Sequence, residues 1–378
     1  MDRLRPPRAE MADLVAYGAR DVRAEVMLAS NENPANLPGE LLDKLADRVR
    51  YEIDFNRYPD PLASRLRELI AEANGLDARN VLVGNGGDEL ILDLLLAWGG
   101  PGRTLVDLPP TFAMYGIDAQ MTGTRMLSIP RTDTFEVPSE PVLAELATGV
   151  PDMIVVSNPN NPTGTMAPET LLIDILNTTD ALVLIDEAYF EFSRHTMRPH
   201  MERHPNLVIL RTFSKAFSLA GLRAGYLLAH EDVVRELTKV RQPYSVNRFT
   251  QVAAALTFRE RVVFQAGIRE IMRTRDMLQT GLAAIPGVEP FPSEANFVLF
   301  RVPQASAIWR DLLHDHSILI RDLSRTPGLE DCLRVTVGTE AEVQRFLAAL
   351  EEIVASKSIA NHFGVRATAS RHLKKDGE

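Results

Sequence analysis

The sequence predicts an α/β protein in two units, a large one built on a mainly parallel, seven-stranded sheet and a smaller α+β one. Three observations carry that expectation. Seven short apolar runs between residues 81 and 229 alternate with helix-length segments, as buried parallel strands and their crossover helices do. After Pro286-Gly287 the pattern changes to a smaller mixture of strands and helices. The length, 378 residues, exceeds what one compact core usually absorbs.

Residues 1–35 read as an irregular arm around a short helix, with Asn31-Glu-Asn-Pro34 as a turn. A helix is expected from Pro38 towards Arg50. Arg57-Tyr-Pro-Asp-Pro61 must be a loop, because its two prolines remove donors and disfavour helix before them. A second helix follows from Leu62 to about Asn74, with Gly75 as its stop. The seven runs lie at 81–83, 103–108, 124–129, 153–157, 182–186, 207–211 and 225–229. Periodicity cannot separate runs this short from buried helix, so their alternation with helical segments decides. Residues 248–285 read as one long helical stretch. Beyond it, strands are expected at 296–302, 318–321 and 332–337, and helices at 305–315 and 339–355. From about Lys357 the chain is polar and basic, as a solvated tail would be. The expected organisation is an arm (1–35), a large unit (36–258), a small unit (259–356) and a tail (357–378).

Composition excludes several function classes. Apolar residues make up 45% and charged residues 24%, so a long disordered region is not expected. A net charge of −10 argues against broad nucleic-acid binding, while leaving room for a local basic pocket. Cys332 stands alone, so no internal disulfide can form and a reducing compartment fits. The charged, Pro-rich start does not read as a signal peptide, and no apolar run approaches the ~20 residues that span a bilayer. A cytoplasmic protein with no membrane or nucleic-acid partner is expected.

Four segments carry candidate chemistry, each just after an expected strand. In the segment from Arg211 to Gly225, Lys215 sits among apolar residues. Loss of water there would depress its pKa and make its amine a nucleophile towards a carbonyl. Thr212 and Ser214 place hydroxyls beside it, and Arg223 could fold back as a phosphate clamp. The plain alternative is a surface lysine on a loop. Asp186 and Glu187 end another run, at the strand end where α/β proteins bind ligands. A carboxylate there could keep a cofactor's pyridine nitrogen protonated, and Tyr189 could donate to that ring's phenolic oxygen. The same Asp-Glu pair could equally be a metal site or a helix cap.

The third segment, Ser157-Asn-Pro-Asn-Asn-Pro-Thr-Gly164, is a stiff loop able to aim Asn161 at a ligand, or a plain turn. The fourth, Gly84-Asn-Gly-Gly-Asp-Glu89, opens a helix whose first N–H groups would form an anion site, or is a tight turn with no ligand. It is neither a phosphate-binding Walker loop nor a dinucleotide fingerprint, since Glu89 stands where the third glycine belongs. Phe112 follows a further run and could stack on an aromatic ring, or be a core residue.

With these segments in chain order, the sequence resembles the fold-type I pyridoxal-phosphate enzymes of the class I/II aminotransferases over residues 17–355. Within them it is most similar to the histidinol-phosphate aminotransferases. The residues that carry the likeness are Asn31-Glu-Asn-Pro34, Arg57-Tyr-Pro-Asp-Pro61, Asp186-Glu-Ala-Tyr189, Ser214-Lys215 and Leu333-Arg-Val-Thr-Val-Gly-Thr339. The resemblance implies pyridoxal 5′-phosphate held as a Schiff base on Lys215, with Asp186 on the pyridine nitrogen and Asn161 and Tyr189 on the phenolic oxygen. It implies a phosphate site of Gly86, Gly87, Asp88, Ser214 and Arg223, with Thr212 nearby. It also implies a homodimer with shared sites, in which Tyr58 reaches the partner's phosphate. Arg334 would clamp an α-carboxylate, Arg321 a substrate phosphate, and Tyr17 would close over the substrate. No metal is implied.

The alternative for Arg321 is a surface ion pair with Asp322. Departures from the family's pattern include the missing Tyr-Gly after Asn33-Pro34, Gly87 in place of Ser or Ala, and Ala16 in place of a proline. The implied reaction moves an amino group from histidinol phosphate to 2-oxoglutarate. An aromatic aminotransferase, a related decarboxylase, a non-catalytic assembly protein and a nucleotide-binding oxidoreductase are the competing readings.

Overall fold

The computed structural model describes residues 22–372, with positions 5, 8, 11 and 14. Its elements in chain order are β1 (Val26–Leu28), α1 (Gly39–Glu52), α2 (Ser64–Asn74), β2 (Val81–Gly84), α3 (Gly87–Trp98), β3 (Thr104–Asp107), α4 (Met114–Thr122), β4 (Arg125–Ser128), α5 (Ser139–Leu146), β5 (Met153–Ser157), α6 (Glu169–Thr178), β6 (Leu182–Asp186), α7 (Phe190–Ser193), β7 (Leu207–Thr212), β8 (Gly225–Leu228), α8 (Glu231–Val240), α9 (Arg248–Arg259), α10 (Gln265–Ala284), β9 (Glu289–Pro290), β10 (Phe297–Arg301), α11 (Ala305–His316), β11 (Ile318–Asp322), β12 (Cys332–Thr336) and α12 (Glu340–His372).

All seven expected runs are strands of one sheet, in the order β2-β8-β7-β6-β5-β3-β4. Only β8 runs against its neighbours. Every residue of β2, β3, β5, β6, β7 and β8 is buried, which explains their unbroken apolar runs. Alternate residues feed the two faces: Val183, Ile185 and Ile209 face one core, and Leu184, Val208 and Leu210 the other. The edge strand β4 is more exposed. Ser157 and Asp186 end β5 and β6 in register, and β7 runs past Leu210, the partner of Asp186, to Thr212.

The second sheet has the order β1-β11-β12-β10-β9. Strand β1 corrects the reading of residues 1–35 as an irregular arm. Val26–Leu28 pairs parallel with Ile318–Ile320, Val26 and Leu28 buried and Met27 exposed. Three residues are too few for a periodic signal, and the partner lies almost 300 positions away. The expected single helix over 248–285 is two helices split by a 3₁₀ turn at Arg261–Phe264. No proline or glycine marks the break. The turn buries Phe264 edge-on against Phe217, at 5.5 Å between ring centroids, while Val262 stays exposed. At the other end, α12 continues past the expected limit near residue 355 to His372. No proline interrupts it, and Ala360, Ala367 and Ala369 favour helix. Among the described residues no helix is long and apolar enough to cross a membrane.

Candidate active site

A cavity of about 540 Å³ opens at the carboxyl edge of the seven-stranded sheet, where the second sheet closes over it. Asp186, the last residue of β6, is buried in its wall. Its Oδ1 accepts the Ala188 N–H at 2.9 Å and its Oδ2 accepts the Tyr115 hydroxyl at 2.6 Å. Burial pushes the Asp186 carboxyl up to about 6, the two donors pull it down, and the nearby charges of Asp88 and Glu187 push it up. Glu187 points elsewhere. Its carboxylate takes Arg211 Nε at 2.9 Å and the Met197 N–H at 2.7 Å, a buried structural pair. Among the described residues no cluster of His, Cys, Asp and Glu is arranged for a metal ion.

Lys215 stands on the loop after β7, and its Nζ donates to the Ser30 carbonyl at 3.1 Å. Desolvation first, then the Arg334 guanidinium, lower its pKa to about 8. Because β8 is antiparallel, its start lies at the same sheet edge as the ends of its neighbours, with Gly225 opposite Thr212 and Gly84. Arg223, two residues earlier, therefore reaches the cavity. Its Nη1 donates to Ser214 Oγ at 3.4 Å and its Nη2 pairs with Asp88 at 2.8 Å. Thr212 Oγ1 donates to Ser214 Oγ at 3.0 Å. Gly86, at φ +86°, caps α3 below them. A Cβ there would lie 2.6 Å from Arg223 Nη2, so only glycine lets the guanidinium pack this closely. Two hydroxyls, a guanidinium and the first turn of α3 thus converge on one anion-sized corner.

The second sheet adds two cations. Arg321 and Arg334 face each other in register on the antiparallel strands β11 and β12, and both line the cavity. Arg334 donates to Asn161 Oδ1 and, at 2.8 Å, to the Ala29 carbonyl. Arg321 makes no ion pair with Asp322, whose carboxylate instead accepts from Ser306 at 2.9 Å and Ser324 at 2.6 Å. Phe112 and Tyr189 also line the cavity, the Tyr189 hydroxyl accepting from Asn31 Nδ2 at 2.9 Å.

Comparison with known proteins decides what this arrangement is. The family described as "Aminotransferase class I and II" matches residues 24–350. The chain belongs to the class I and II aminotransferases. Among similar curated proteins, histidinol-phosphate aminotransferase 1 of Carboxydothermus hydrogenoformans is 40% identical over 354 residues, covering 94% of this chain and 100% of that protein. The histidinol-phosphate aminotransferase of Thermococcus gammatolerans is 39% identical, covering 88% and 93%. The histidinol-phosphate aminotransferase of Sinorhizobium meliloti, solved in complex with pyridoxal-5′-phosphate, superposes with a TM-score of 0.81 at 26% identity, covering 88% of this chain and 92% of that one.

In this aminotransferase the cavity gathers Gly87, Asp88, Phe112, Asn161, Asp186, Tyr189, Thr212, Ser214, Lys215, Arg223, Arg321 and Arg334. Gly86 sits just behind, at the α3 cap. Tyr58 is not brought in. It is 80% exposed and stacks on Tyr244, with ring centroids 4.9 Å apart. Tyr17 lies outside the described residues. Two residues at the site escaped the sequence reading. Tyr115 follows Phe112 by three positions, one helical turn, and that spacing was the available signal. Asn31 was read as part of a turn and of a segment that carries the likeness, but with no role of its own, since its partners, Tyr189 and Thr336, are far away in the chain.

Proposed function

We propose that this aminotransferase transfers an amino group from histidinol phosphate to 2-oxoglutarate, with pyridoxal 5′-phosphate as coenzyme, giving imidazole-acetol phosphate and glutamate. The observation that carries the choice of donor is Arg321. It is a guanidinium that lines the cavity with no hydrogen bond or ion pair of its own among the described residues, whereas Arg223 is already engaged at the α3 corner. A buried-facing cation without a partner suits a phosphate on the substrate. The names of the similar curated proteins support the same donor.

The cavity fits the coenzyme at three points. The cradle at Gly86, closed by the guanidinium of Arg223, suits its phosphate. The buried Asp186 carboxylate suits a protonated pyridine nitrogen, and the amine of Lys215 suits its aldehyde. When bound, pyridoxal phosphate supplies an electron sink for the charge released at the donor's Cα. Ser214, Thr212, Arg223 and the N–H groups of Gly87 and Asp88 hold the phosphate. Tyr189, whose hydroxyl oxygen accepts from Asn31, and the Asn161 amide would hold the ring oxygen. Lys215, neutral above about pH 8 in the free protein, is the nucleophile towards the aldehyde and carries the proton between Cα and C4′. Arg334, held by Asn161 and Ala29, fixes the α-carboxylate of glutamate in a bidentate fork that lysine cannot copy.

A homodimer belongs to the same proposal. Tyr51, Phe55, Tyr58 and Tyr244 are large exposed aromatic residues, and a second copy covering them would place Tyr58 at the partner's phosphate site. Sedimentation velocity tests the assembly. Steady-state turnover with histidinol phosphate, phenylalanine and tyrosine tests the donor. Histidinol phosphate is expected to be preferred, and equal or faster turnover of the aromatic acids overturns the assignment.

A further inference from the structure

Behind the carboxylate assigned to the coenzyme's ring nitrogen stands a residue that no part of the proposed mechanism uses. Tyr115 lies on α4, only 1% exposed, and it does not line the cavity. Its hydroxyl donates to Asp186 Oδ2 at 2.6 Å, the short distance of a charge-assisted hydrogen bond. Phe112 meets the ring edge-on, with centroids 5.6 Å apart and planes at 85°. Burial and the neighbouring Asp186 charge raise the phenol well above its ordinary value, so it remains a donor at any working pH.

We infer that Tyr115 is a positioning residue, whose hydroxyl holds Asp186 ionised and oriented so that the coenzyme's pyridine nitrogen keeps its proton. The inference rests on the assignment of Asp186 to that nitrogen. Its logic is a competition. A carboxyl this buried is driven towards its neutral form, and a neutral acid cannot hold a pyridinium. A hydrogen bond donated to the charged form opposes that drive. The Ala188 N–H occupies the other oxygen at 2.9 Å, and a carboxylate has lone pairs enough to accept a third donor from the cavity. Phe112 and Tyr115 share one turn, so the segment that lays a ring against the cavity also braces the acid behind it.

The test is the ¹⁵N chemical shift of the ring nitrogen in enzyme loaded with ¹⁵N-labelled pyridoxal phosphate, beside kcat and KM. Tyr115→Phe removes one hydroxyl and keeps the ring. It is expected to move the signal towards the unprotonated pyridine and to lower kcat roughly ten- to hundredfold with little change in KM. In an Asp186→Ala background it is expected to cost nothing further. Tyr115→Met, a second replacement without the hydroxyl, is expected to shift the signal the same way, and it serves if Tyr115→Phe does not fold. A signal unmoved in both single variants, or an equal loss of kcat in the Asp186→Ala background, overturns the inference. Asp186→Ala separates the two levels. If it leaves the signal unmoved, the assignment of Asp186 fails. If it moves the signal and the Tyr115 variants do not, only the role of Tyr115 fails.

Discussion

The seven-stranded sheet and the strand pair β11–β12 bring charged groups to one cavity by different means. On the large sheet, Asp186, Thr212, Lys215 and Arg223 come from strand ends and the loops beside them, Asp186 locked by a short hydrogen bond from Tyr115 and Arg223 by an ion pair with Asp88. On the small sheet, Arg321 and Arg334 project from within strands, set side by side by register alone. One of them is tied to Asn161 and Ala29, and the other has no partner among the described residues. The contrast suits the two proposed tasks, fixed groups for a resident coenzyme and, at Arg321, a cation whose partner would arrive with the substrate.

That division is open to measurement. The largest effect is expected at Lys215, where Lys215→Ala should cut turnover by on the order of 10³-fold or more with every donor, measured by single-turnover absorbance. Residual turnover near wild type would remove the large sheet from the chemistry. Arg334→Lys is expected to lower kcat/KM by roughly 10²-fold for glutamate, because a single ammonium cannot reproduce the two-pronged contact. Arg321→Ala should raise KM roughly ten- to hundredfold for histidinol phosphate while leaving that for glutamate within about threefold. Equal effects on both substrates would erase the distinction between the two arginines.

The rate at which the coenzyme-free protein captures pyridoxal phosphate should follow the neutral amine of Lys215. It is expected to rise with pH up to about 8 and to level off above it, as stopped-flow absorbance would show. The smallest effect concerns stability around α4. Burial raises the Asp118 carboxyl from 3.8 to about 7, so the folded state binds this proton more tightly than the unfolded one. Stability then falls as pH rises from about 4 to about 7. Asp118→Asn, which removes that titration, should raise Tm by about 1–4 °C at pH 8, with the gain shrinking towards pH 4 by scanning calorimetry.

Local chemistry made much of this legible in advance. Buried parallel strands need unbroken apolar runs, so all seven strands of the large sheet are legible in the sequence, and residues at their ends, Asp186 and Thr212 among them, line the cavity. Gly75, in the left-handed region with its N–H closing the end of α2, likewise sits where the sequence put a stop. The partners of β1, the break between α9 and α10, the pairing of Tyr115 with Asp186 and the isolation of Arg321 from Asp322 were decided only in three dimensions. Each depends on a contact between residues distant in the chain, or on a side chain left without one. Sequence periodicity reports what a residue's own element requires of it. A hydrogen bond or ring contact across tens or hundreds of positions arises from how the finished elements pack, and leaves no local trace.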